Sequence, residues 1–265
     1  MSDDGDCRRT VLSDDRLMLL DVLTMNLWGL PWPLARDRRV RKRRFLDHLL
    51  GTSYDIVGIQ ELWWPWRTAF QLESLLLPES QRDSGLALAG RLQAAQRPQV
   101  HHFRAGTGID RLKRKGIMTA RVGLGNDREE MAVHVTHLQA GPGKGEIRAR
   151  QVDELLALVA SDSAPAMVMG DFNFHDGEPA DEKAIERLAA EGFEDAAPSG
   201  GEHQPTYVST NPYVRRHRCA ERFDRVFLRS GRGTRLAAKA ARVLNDLTSP
   251  FSDHHPLHVC VQVGD

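Results

Sequence analysis

The stretch Pro165-Ala-Met-Val-Met-Gly-Asp-Phe-Asn173 runs from apolar residues without charge into an abrupt polar end. Such a short apolar run predicts a β-strand that is buried on both faces. Because side chains two apart in a strand point to the same side, we expect Asp171 and Asn173 to leave the strand together. A charged carboxylate at the end of a core strand is costly unless it is paired or bound to a ligand. The pattern therefore predicts either a functional site or an Asp-x-Asn turn cap.

Other predicted strands also run into polar residues. We predict strands over Met18–Trp28, Tyr54–Leu62, Glu130–Gln139, Arg222–Leu228 and Pro256–Val263. The polar residues at or beside these strand ends, taken in chain order, are Asn26, Glu61, His137, Asp171, Asn173, Asp224, Asp253 and His254. Each one alone is explained as well by a turn, a core histidine or a surface imidazole. Their recurrence at strand ends predicts a common site.

The residue types in this set indicate the chemistry. Several carboxylates and amides suit a hard divalent cation that takes oxygen ligands. Two histidines can transfer protons near neutral pH. The set contains no cysteine, which favours magnesium or manganese (Mg²⁺ or Mn²⁺) over zinc.

Composition and charge exclude few classes of protein. The 265-residue chain has 36 basic and 36 acidic residues, so its net charge gives no argument for a nucleic-acid partner. Basic runs lie at residues 36–44, 111–115 and 215–218, and each is expected to be a solvated surface. No signal-peptide pattern and no apolar run of membrane-spanning length are found, so we expect a cytoplasmic protein.

The order of elements predicts an α+β fold. Helices are predicted over Arg36–Leu50, Arg67–Leu77, Glu146–Ala160 and Asp181–Glu191, among strands of mixed spacing. The first of these helices carries an apolar stripe that consists of Val40, Phe45, Leu46, Leu49 and Leu50. We expect an acidic, flexible N-terminus over residues 1–17. The absence of a linker or an internal repeat predicts a single domain over residues 18–265, in a monomer.

The chain resembles the endonuclease/exonuclease/phosphatase superfamily in six motifs that follow the superfamily's order. The motifs are Asn26-Leu-Trp-Gly, Ile59-Gln-Glu61, Thr136-His137-Leu, Gly170-Asp-Phe-Asn173, Asp224-Arg-Val and Ser252-Asp-His254. The resemblance spans residues 18–263. It implies a four-layer α/β sandwich, in which two mixed β-sheets pack face to face with helices outside and the site lies at one edge.

Within the superfamily, the chain is most similar to the neutral sphingomyelinase-like branch. The similar segments are Asn26-Leu-Trp-Gly-Leu-Pro, Glu61-Leu-Trp63, Lys115-Gly116 and Thr136-His-Leu-Gln-Ala140 followed by Arg148, Arg150 and Gln151. The pair Asp224-Arg225 instead resembles the deoxyribonuclease pattern. The membrane-inserting hairpin and the membrane helices of sphingomyelinases are not recognised in the sequence.

The resemblance implies metal-dependent hydrolysis of a phosphodiester by in-line attack of water. Glu61 is then the principal metal ligand, with Asn26 beside it and Asp253 in support of the metal site. His254 is the general base, and Asp224 holds its ring in the required tautomer.

The remaining residues act on water and phosphate in this hypothesis. Asp171 orients the attacking water or shares the role of base, and the roles of His254 and Asp171 can be exchanged. Asn173 and His137 hydrogen-bond the phosphoryl oxygens as charge builds, and His137 can protonate the leaving group.

Three classes of function stay open at this point. The first is a sphingomyelinase-like phospholipid phosphodiesterase, with peripheral membrane contact through Trp64 and Trp66 after the metal ligand. The second is a nuclease that acts on DNA or RNA, or a phosphatase of small soluble phosphoesters. The third is a relative that keeps the fold for binding alone. The intact set of expected catalytic positions argues against the third class.

Overall fold

The computed structural model describes residues 17–64, 75–76, 83–92, 94–124, 130–197, 204–215, 218–245 and 248–265. Residues 1–16 of the predicted flexible N-terminus and Trp66 lie outside these ranges, as does the predicted helix Arg67–Leu77 apart from residues 75 and 76. The single domain over residues 18–265 stays a prediction. Among the described residues, none of the helices combines the length and the hydropathy needed to span a bilayer.

Seventeen elements occur along the described chain. They are β1 (Met18–Asn26), α1 (Arg38–Gly51), β2 (Ile56–Gln60), β3 (Ala87–Ala89), β4 (Gln99–His102), α2 (Gly108–Leu112), β5 (Gly116–Gly123), β6 (Glu130–His137), α3 (Gly145–Val159), β7 (Ala166–Asp171), α4 (Pro179–Ala190), β8 (Glu194–Asp195), β9 (Tyr207–Val208), β10 (Ala220–Glu221), β11 (Asp224–Arg229), β12 (Arg235–Val243) and β13 (Leu257–Gly264). The short helix α2 is not among the helices predicted from the sequence.

Two mixed sheets form the centre of the fold. The first has the strand order β12-β13-β1-β2-β3, and the second has the order β4-β5-β6-β7-β11-β8. Each sheet contains one parallel pair, β1 with β2 and β6 with β7, while the other neighbours are antiparallel. Each parallel pair is joined by a connection that contains a helix, because parallel strands need a long crossover.

The sheets pack face to face through apolar side chains, and β7 shows how. Met167 and Met169 point into the core between the sheets, whereas Ala166 and Val168 face the helices α3 and α4. Gly58 in β2 lies directly against Met169, since a Cβ added there would meet the Met169 sulfur at 2.4 Å. Both faces of β7 are therefore buried, as its continuous apolar sequence predicts.

Helices cover the two outer faces. Phe45 of α1 packs on the first sheet, and the apolar residues of α3 and α4 pack on the second. The layers are thus helix, sheet, sheet and helix. This arrangement confirms the predicted four-layer α/β sandwich.

The prediction for α1 is wrong in one respect. Val40 and Leu50 of the predicted apolar stripe are 50% and 75% exposed, whereas Arg41 from the predicted solvated basic run is only 2% exposed. The Arg41 guanidinium donates hydrogen bonds to the carbonyls of Leu27 at 2.8 Å and Phe251 at 3.0 Å. Arg41 therefore ties the segment after β1 to the segment before β13.

A second buried arginine joins α3, α4 and the segment after β6. The Arg148 guanidinium donates to both carboxylate oxygens of Asp181, at 2.7 and 2.6 Å, and to Glu178 at 2.8 Å. It also donates to the carbonyls of Gln139 at 3.2 Å and Gly141 at 2.8 Å. The side chains of Arg148 and Asp181 are 0% and 1% exposed, so the two charges depend on each other.

Asp181 also binds the segment after β7. Its Oδ2 accepts a hydrogen bond from the backbone N–H of His175 at 2.9 Å. The segments that follow β6 and β7 are consequently held by one buried ion pair. The predicted site residues His137 and Asp171 end the two strands from which these segments leave, and Asn173 lies in the second segment.

We expect Arg148→Met to destabilise the fold by about 3–5 kcal/mol, because it leaves the Asp181 carboxylate buried and uncompensated. Arg187→Met is the matched control, since it breaks a surface pair between Arg187 and Asp153 whose side chains are 40% and 52% exposed. The control should change the free energy of unfolding by less than about 1 kcal/mol. Urea denaturation of both variants measures the difference. Equal losses in the two variants would contradict the role given to Arg148.

Candidate active site

Strand direction brings the predicted residues to one edge of the first sheet. Because β1 and β2 are parallel, their carboxyl ends meet there: Asn26 lies opposite Gln60, and Glu61 follows directly. Strand β13 runs antiparallel to β1 and starts at the same edge, with Leu257 opposite Thr24. His254 lies just before β13 and thus reaches the same edge.

The second sheet repeats this arrangement. His137 and Asp171 end the parallel strands β6 and β7 as direct neighbours in register. Asp224 starts the antiparallel strand β11 and lies opposite Asp171. Three chemically active side chains therefore occupy adjacent positions at one edge.

A hydrogen bond joins the two edges. The Asn26 side-chain amide donates from Nδ2 to Oδ2 of Asp171 at 2.8 Å. The Oδ1 atom of Asn26 accepts a hydrogen bond from the Trp28 backbone N–H at 2.8 Å, which fixes the orientation of the amide. All the predicted site residues except Asp253 are buried. The structure thus brings Asn26 of one sheet against Asp171 of the other.

Asp171 lies at the centre of the polar contacts. Its Oδ2 lies 3.3 Å from Nε2 of His137 and 3.9 Å from Nε2 of His254. Its Oδ1 accepts a hydrogen bond from the Asn173 backbone N–H at 3.0 Å. The Asp-x-Asn turn cap, one of the two predicted interpretations, is therefore present.

Asn173 departs from the predicted alternation. Strand β7 ends at Asp171, and the Asn173 backbone has a left-handed φ of 52°. Its side chain donates from Nδ2 to the Leu138 carbonyl at 3.3 Å. The expectation that the Asp171 and Asn173 side chains leave the strand together is wrong, because the strand ends at Asp171 and the turn starts before Asn173. Both side chains nevertheless remain beside the segment that follows β6.

His254 is held by a carboxylate on its far side. Its Nδ1 lies 2.7 Å from Oδ2 of Asp224, which is fully buried. Burial lowers the pKa of His254, but the carboxylates of Asp224 and Asp171 outweigh this effect and raise the pKa to about 10. The ring therefore bridges two carboxylates.

The other two central groups are shifted towards their neutral forms. Burial, together with the charge of Asp224, raises the pKa of Asp171 to about 6 even though His254 opposes the change. Burial and the nearby charges of Lys115 and Lys113 hold the pKa of His137 well below its usual value. His137 is accordingly a neutral imidazole at pH 7.

Glu61 and Asp253 form a second acidic group. Oε2 of Glu61 is buried and has no hydrogen-bond partner among the described residues, while Oε1 lies 3.9 Å from the Lys113 ammonium. Burial raises the pKa of Asp253 to about 6, and the Glu61 charge adds to the increase. Oδ1 of Asp253 accepts a hydrogen bond from the Ser252 hydroxyl at 3.0 Å. This group therefore concentrates negative charge that is not fully compensated.

The donor set fits a divalent cation in chemistry. It comprises the unpaired Glu61 oxygen, the Asp253 carboxylate and the Asn26 amide oxygen, all oxygen atoms of the kind that Mg²⁺ binds. Within the described ranges, no group of three or more His, Cys, Asp and Glu side chains is arranged to surround an ion. An ion at this place would therefore need substrate or water oxygens as additional ligands.

Sequence reasoning missed the lysines beside Glu61. Lys115 is buried, donates to the Leu138 carbonyl at 2.7 Å and pairs with Asp110 at 3.0 Å. Lys113 lies between Glu61 and Asp110, at 3.9 and 3.7 Å. Both lysines belong to the basic run of residues 111–115, which is predicted from the sequence to be a solvated surface.

Sequence reasoning also missed the residues that pack against the His254 ring and hold its neighbours. Tyr207 lies 5.2 Å from the His254 ring between centroids, and Phe223 packs on Tyr207 at 5.4 Å. The Thr206 hydroxyl accepts a hydrogen bond from the Asp224 backbone N–H at 3.1 Å, and the Thr206 carbonyl accepts one from the His255 N–H at 2.7 Å. The segment around Thr206 and Tyr207, where no helix or strand is predicted, therefore holds the partners of His254 in place.

The chain is similar to several known proteins. A provisionally named neutral sphingomyelinase of Drosophila melanogaster is 33% identical over 90 residues, which cover 34% of this chain and 16% of that protein. The chain thus matches only a small part of the length of this relative.

Solved structures match over nearly the whole chain. A crystal structure of TDP2 from D. rerio, in complex with a single strand DNA product, has a TM-score of 0.73 at 18% identity and covers 92% of this chain and 98% of its own. A beta toxin variant from Staphylococcus aureus, with bound magnesium ions, has a TM-score of 0.68 at 17% identity and covers 91% and 98%. At these identities the match establishes the fold alone.

A family model provides the assignment. The model of the Endonuclease/Exonuclease/phosphatase family matches residues 23–254, a range that contains all the predicted site residues. The fold, the order of the motifs and this match agree. The chain belongs to the Endonuclease/Exonuclease/phosphatase family.

Proposed function

We propose that the protein is a divalent-metal-dependent phosphodiester hydrolase that uses water as the nucleophile. One observation carries the proposal: Asp224, His254 and Asp171 form a continuous chain of proton-binding groups at the edge where the Glu61 oxygen is left without a partner. Hydrolysis of a phosphodiester needs a group that accepts a proton from water and positive charge that stabilises the phosphoryl oxygens. The family assignment supports the same chemistry.

Glu61, Asn26 and Asp253 would hold the cation, which we expect to be Mg²⁺ or Mn²⁺. The unpaired Glu61 oxygen supports this assignment, because an uncompensated buried carboxylate is costly. Such an ion neutralises phosphate charge and acts as a Lewis acid. The bound magnesium in the beta toxin variant of the same fold is consistent with this choice.

The pair of Asp171 and His254 accepts the proton from the attacking water. Their facing atoms lie 3.9 Å apart. Because the pKa of His254 is raised to about 10 and that of Asp171 only to about 6, Asp171 is the member of the pair that takes the proton near neutral pH, and the protonated His254 ring stabilises the resulting negative charge. Asp224 holds the His254 ring through Nδ1 and leaves Nε2 directed at Asp171. Asn26 fixes the Asp171 carboxylate from the other sheet.

Asn173, His137 and Lys113 surround the place of the phosphoryl oxygens. The Asn173 amide uses one N–H for the Leu138 carbonyl and has a second for substrate. Because its pKa lies well below the usual value, His137 is better suited to donate a hydrogen bond than to protonate a leaving group. The Lys113 ammonium next to Glu61 adds positive charge that can stabilise the transition state.

Sphingomyelin or a related phospholipid is the substrate that we propose. The motif similarity to sphingomyelinases and the Drosophila melanogaster relative support this choice. The nuclease alternative depends partly on Arg225, but the Arg225 guanidinium donates to Asp195 at 3.0 Å and its side chain is only 7% exposed. Arg41 of the first basic run is buried as well. These two arginines are therefore poorly placed to bind a nucleic-acid backbone.

A purified-protein assay with Mg²⁺ tests the substrate class. The panel contains sphingomyelin in vesicles, plasmid DNA, RNA and bis-p-nitrophenyl phosphate. We expect release of phosphocholine from sphingomyelin and slower hydrolysis of the small diester. Cleavage of DNA or RNA with intact sphingomyelin would replace the lipid proposal by the nuclease proposal. Monomeric state and cytoplasmic location remain predictions from the sequence.

Glu61→Gln should lower both turnover of bis-p-nitrophenyl phosphate and Mg²⁺ affinity by at least about tenfold, because it removes an anionic oxygen ligand and keeps the shape. The free energy of unfolding without metal should not decrease, since the Glu61 carboxylate is uncompensated there. Isothermal titration calorimetry measures the affinity, and urea denaturation measures the stability. Full activity of the wild-type protein in excess EDTA would refute the metal assignment.

His254→Ala should lower turnover by about 10²-fold or more, the usual magnitude for a general acid–base residue. Asp224→Asn should lower it by at least about tenfold through the His254 tautomer, while Mg²⁺ affinity stays close to that of the wild type. His255→Ala is the adjacent control, since the contact of His255 with Thr206 uses its backbone N–H. A larger loss of turnover in His255→Ala than in His254→Ala would show that His254 is not the catalytic histidine.

A further inference from the structure

Three segments of the chain meet around Glu61. We call residues 29–36, 61–64 and 107–115 the site rim. Gly29 touches the Glu61 backbone, since a Cβ added to it would lie 1.9 Å from the Glu61 carbonyl oxygen. Lys113 lies 3.9 Å from Oε1 of Glu61 and 6.0 Å from the ring centroid of Trp63. The site rim is therefore one continuous surface next to the candidate active site.

Exposed apolar side chains are concentrated in the site rim. In the part of the chain that the structure describes, eight large hydrophobic residues are exposed, and five of them belong to the rim. These five are Trp32 at 79%, Leu34 at 48%, Trp64 at 71%, Ile109 at 58% and Leu112 at 81%. Single exposed apolar residues are ordinary, but a group beside a site indicates contact with an apolar partner. The predicted exposure of Trp64 is confirmed.

The exposed charges of the site rim are of one sign. Glu61 and Asp110, its two acidic residues, are buried. Arg36, Arg111 and Arg114 are exposed. In the segment around α2, the exposed residues Ile109 and Leu112 thus alternate with exposed arginines. Tryptophan and leucine beside arginine are the composition of a surface that enters the headgroup region of a bilayer.

We propose that the site rim docks the protein onto a phospholipid bilayer, with the candidate active site facing the headgroups. This inference rests on the proposed function for its substrate, but the docking surface is defined by exposure and charge alone. Apolar side chains would enter the boundary between headgroups and acyl chains, and Arg111 and Arg114 would contact lipid phosphates. A two-fold contact between two copies of the chain would instead bring the same arginines together, which disfavours self-association.

The test is vesicle binding in EDTA, so that binding is measured without hydrolysis. The probe is vesicles of phosphatidylcholine, with or without phosphatidylserine, in a sedimentation assay. The triple variant Trp32→Ser/Trp64→Ser/Leu112→Ser should lose about tenfold or more in vesicle affinity. The control variant Leu50→Ser/Leu158→Ser removes two exposed leucines outside the rim, 75% and 42% exposed, and should bind like the wild type.

Charge is tested separately. Arg111→Gln/Arg114→Gln should reduce the gain in affinity that phosphatidylserine brings, and it should leave most of the binding to phosphatidylcholine unchanged. Hydrolysis of bis-p-nitrophenyl phosphate with Mg²⁺ should stay at the wild-type rate in the triple variant, which shows that the variant is folded.

The outcomes separate this inference from the proposed function. Hydrolysis of the soluble diester without vesicle binding, or equal binding by the triple and control variants, would overturn the docking surface and leave the hydrolase in place. Vesicle binding that the triple variant loses, without hydrolysis of any diester, would support the docking surface and refute the hydrolase. A wild-type dimer in sedimentation velocity that the triple variant dissociates would assign the rim to a second copy instead.

Discussion

The hydrogen bond from the Asn26 side chain to Asp171 joins the two sheets at the edge that carries the candidate active site. It has a favourable geometry only if β1 and β7 end at the same height and the sheets stay at a fixed distance. Close packing of Gly58 against Met169 sets that distance inside the core. The position of the proton-binding groups therefore depends on how tightly the apolar interior is packed.

This arrangement places many charges where water is scarce. Asp171, Asp224, His254 and Lys115 are all buried within the same region. Burial of an isolated charge is strongly unfavourable. Here Asp171, Asp224 and His254 compensate one another, and Lys115 is paired with Asp110 at 3.0 Å. The acidic pair of Glu61 and Asp253 is the exception, since one Glu61 oxygen has no partner among the described residues. A cation bound there, as proposed, would therefore also stabilise the fold.

The strand ends could be predicted from the sequence, whereas the buried side chains that hold them in place could not. An apolar run that stops at a polar residue, as at Asp171, predicts a buried strand and the place where it ends, and the structure confirms both. Arg41, Arg148 and Lys115 give no such signal. Each is a long cation in a charged segment, and such residues usually lie in solvent. Their burial depends on carbonyls and carboxylates from distant segments, which only the tertiary structure brings together.

Tyr207 and Thr206 illustrate the same limit for loops. Their segment is rich in turn-forming residues, and no periodicity marks its contact with His254 and Asp224. Among the described strands, the short β9 and β10 of this region pair only with each other. Sequence patterns report local preference, whereas this segment is ordered by its neighbours.

The position of β13 has a consequence for the order in which the protein acquires its shape during synthesis. This strand lies between β12 and β1 in the first sheet, and it follows every other described strand along the chain. During synthesis on the ribosome, β1 keeps an unpaired backbone edge and an exposed apolar face until β13 emerges. His254 emerges immediately before β13. The first sheet and the candidate active site are therefore completed at nearly the same late point of synthesis, and chaperones that shield open strand edges have most to protect before it.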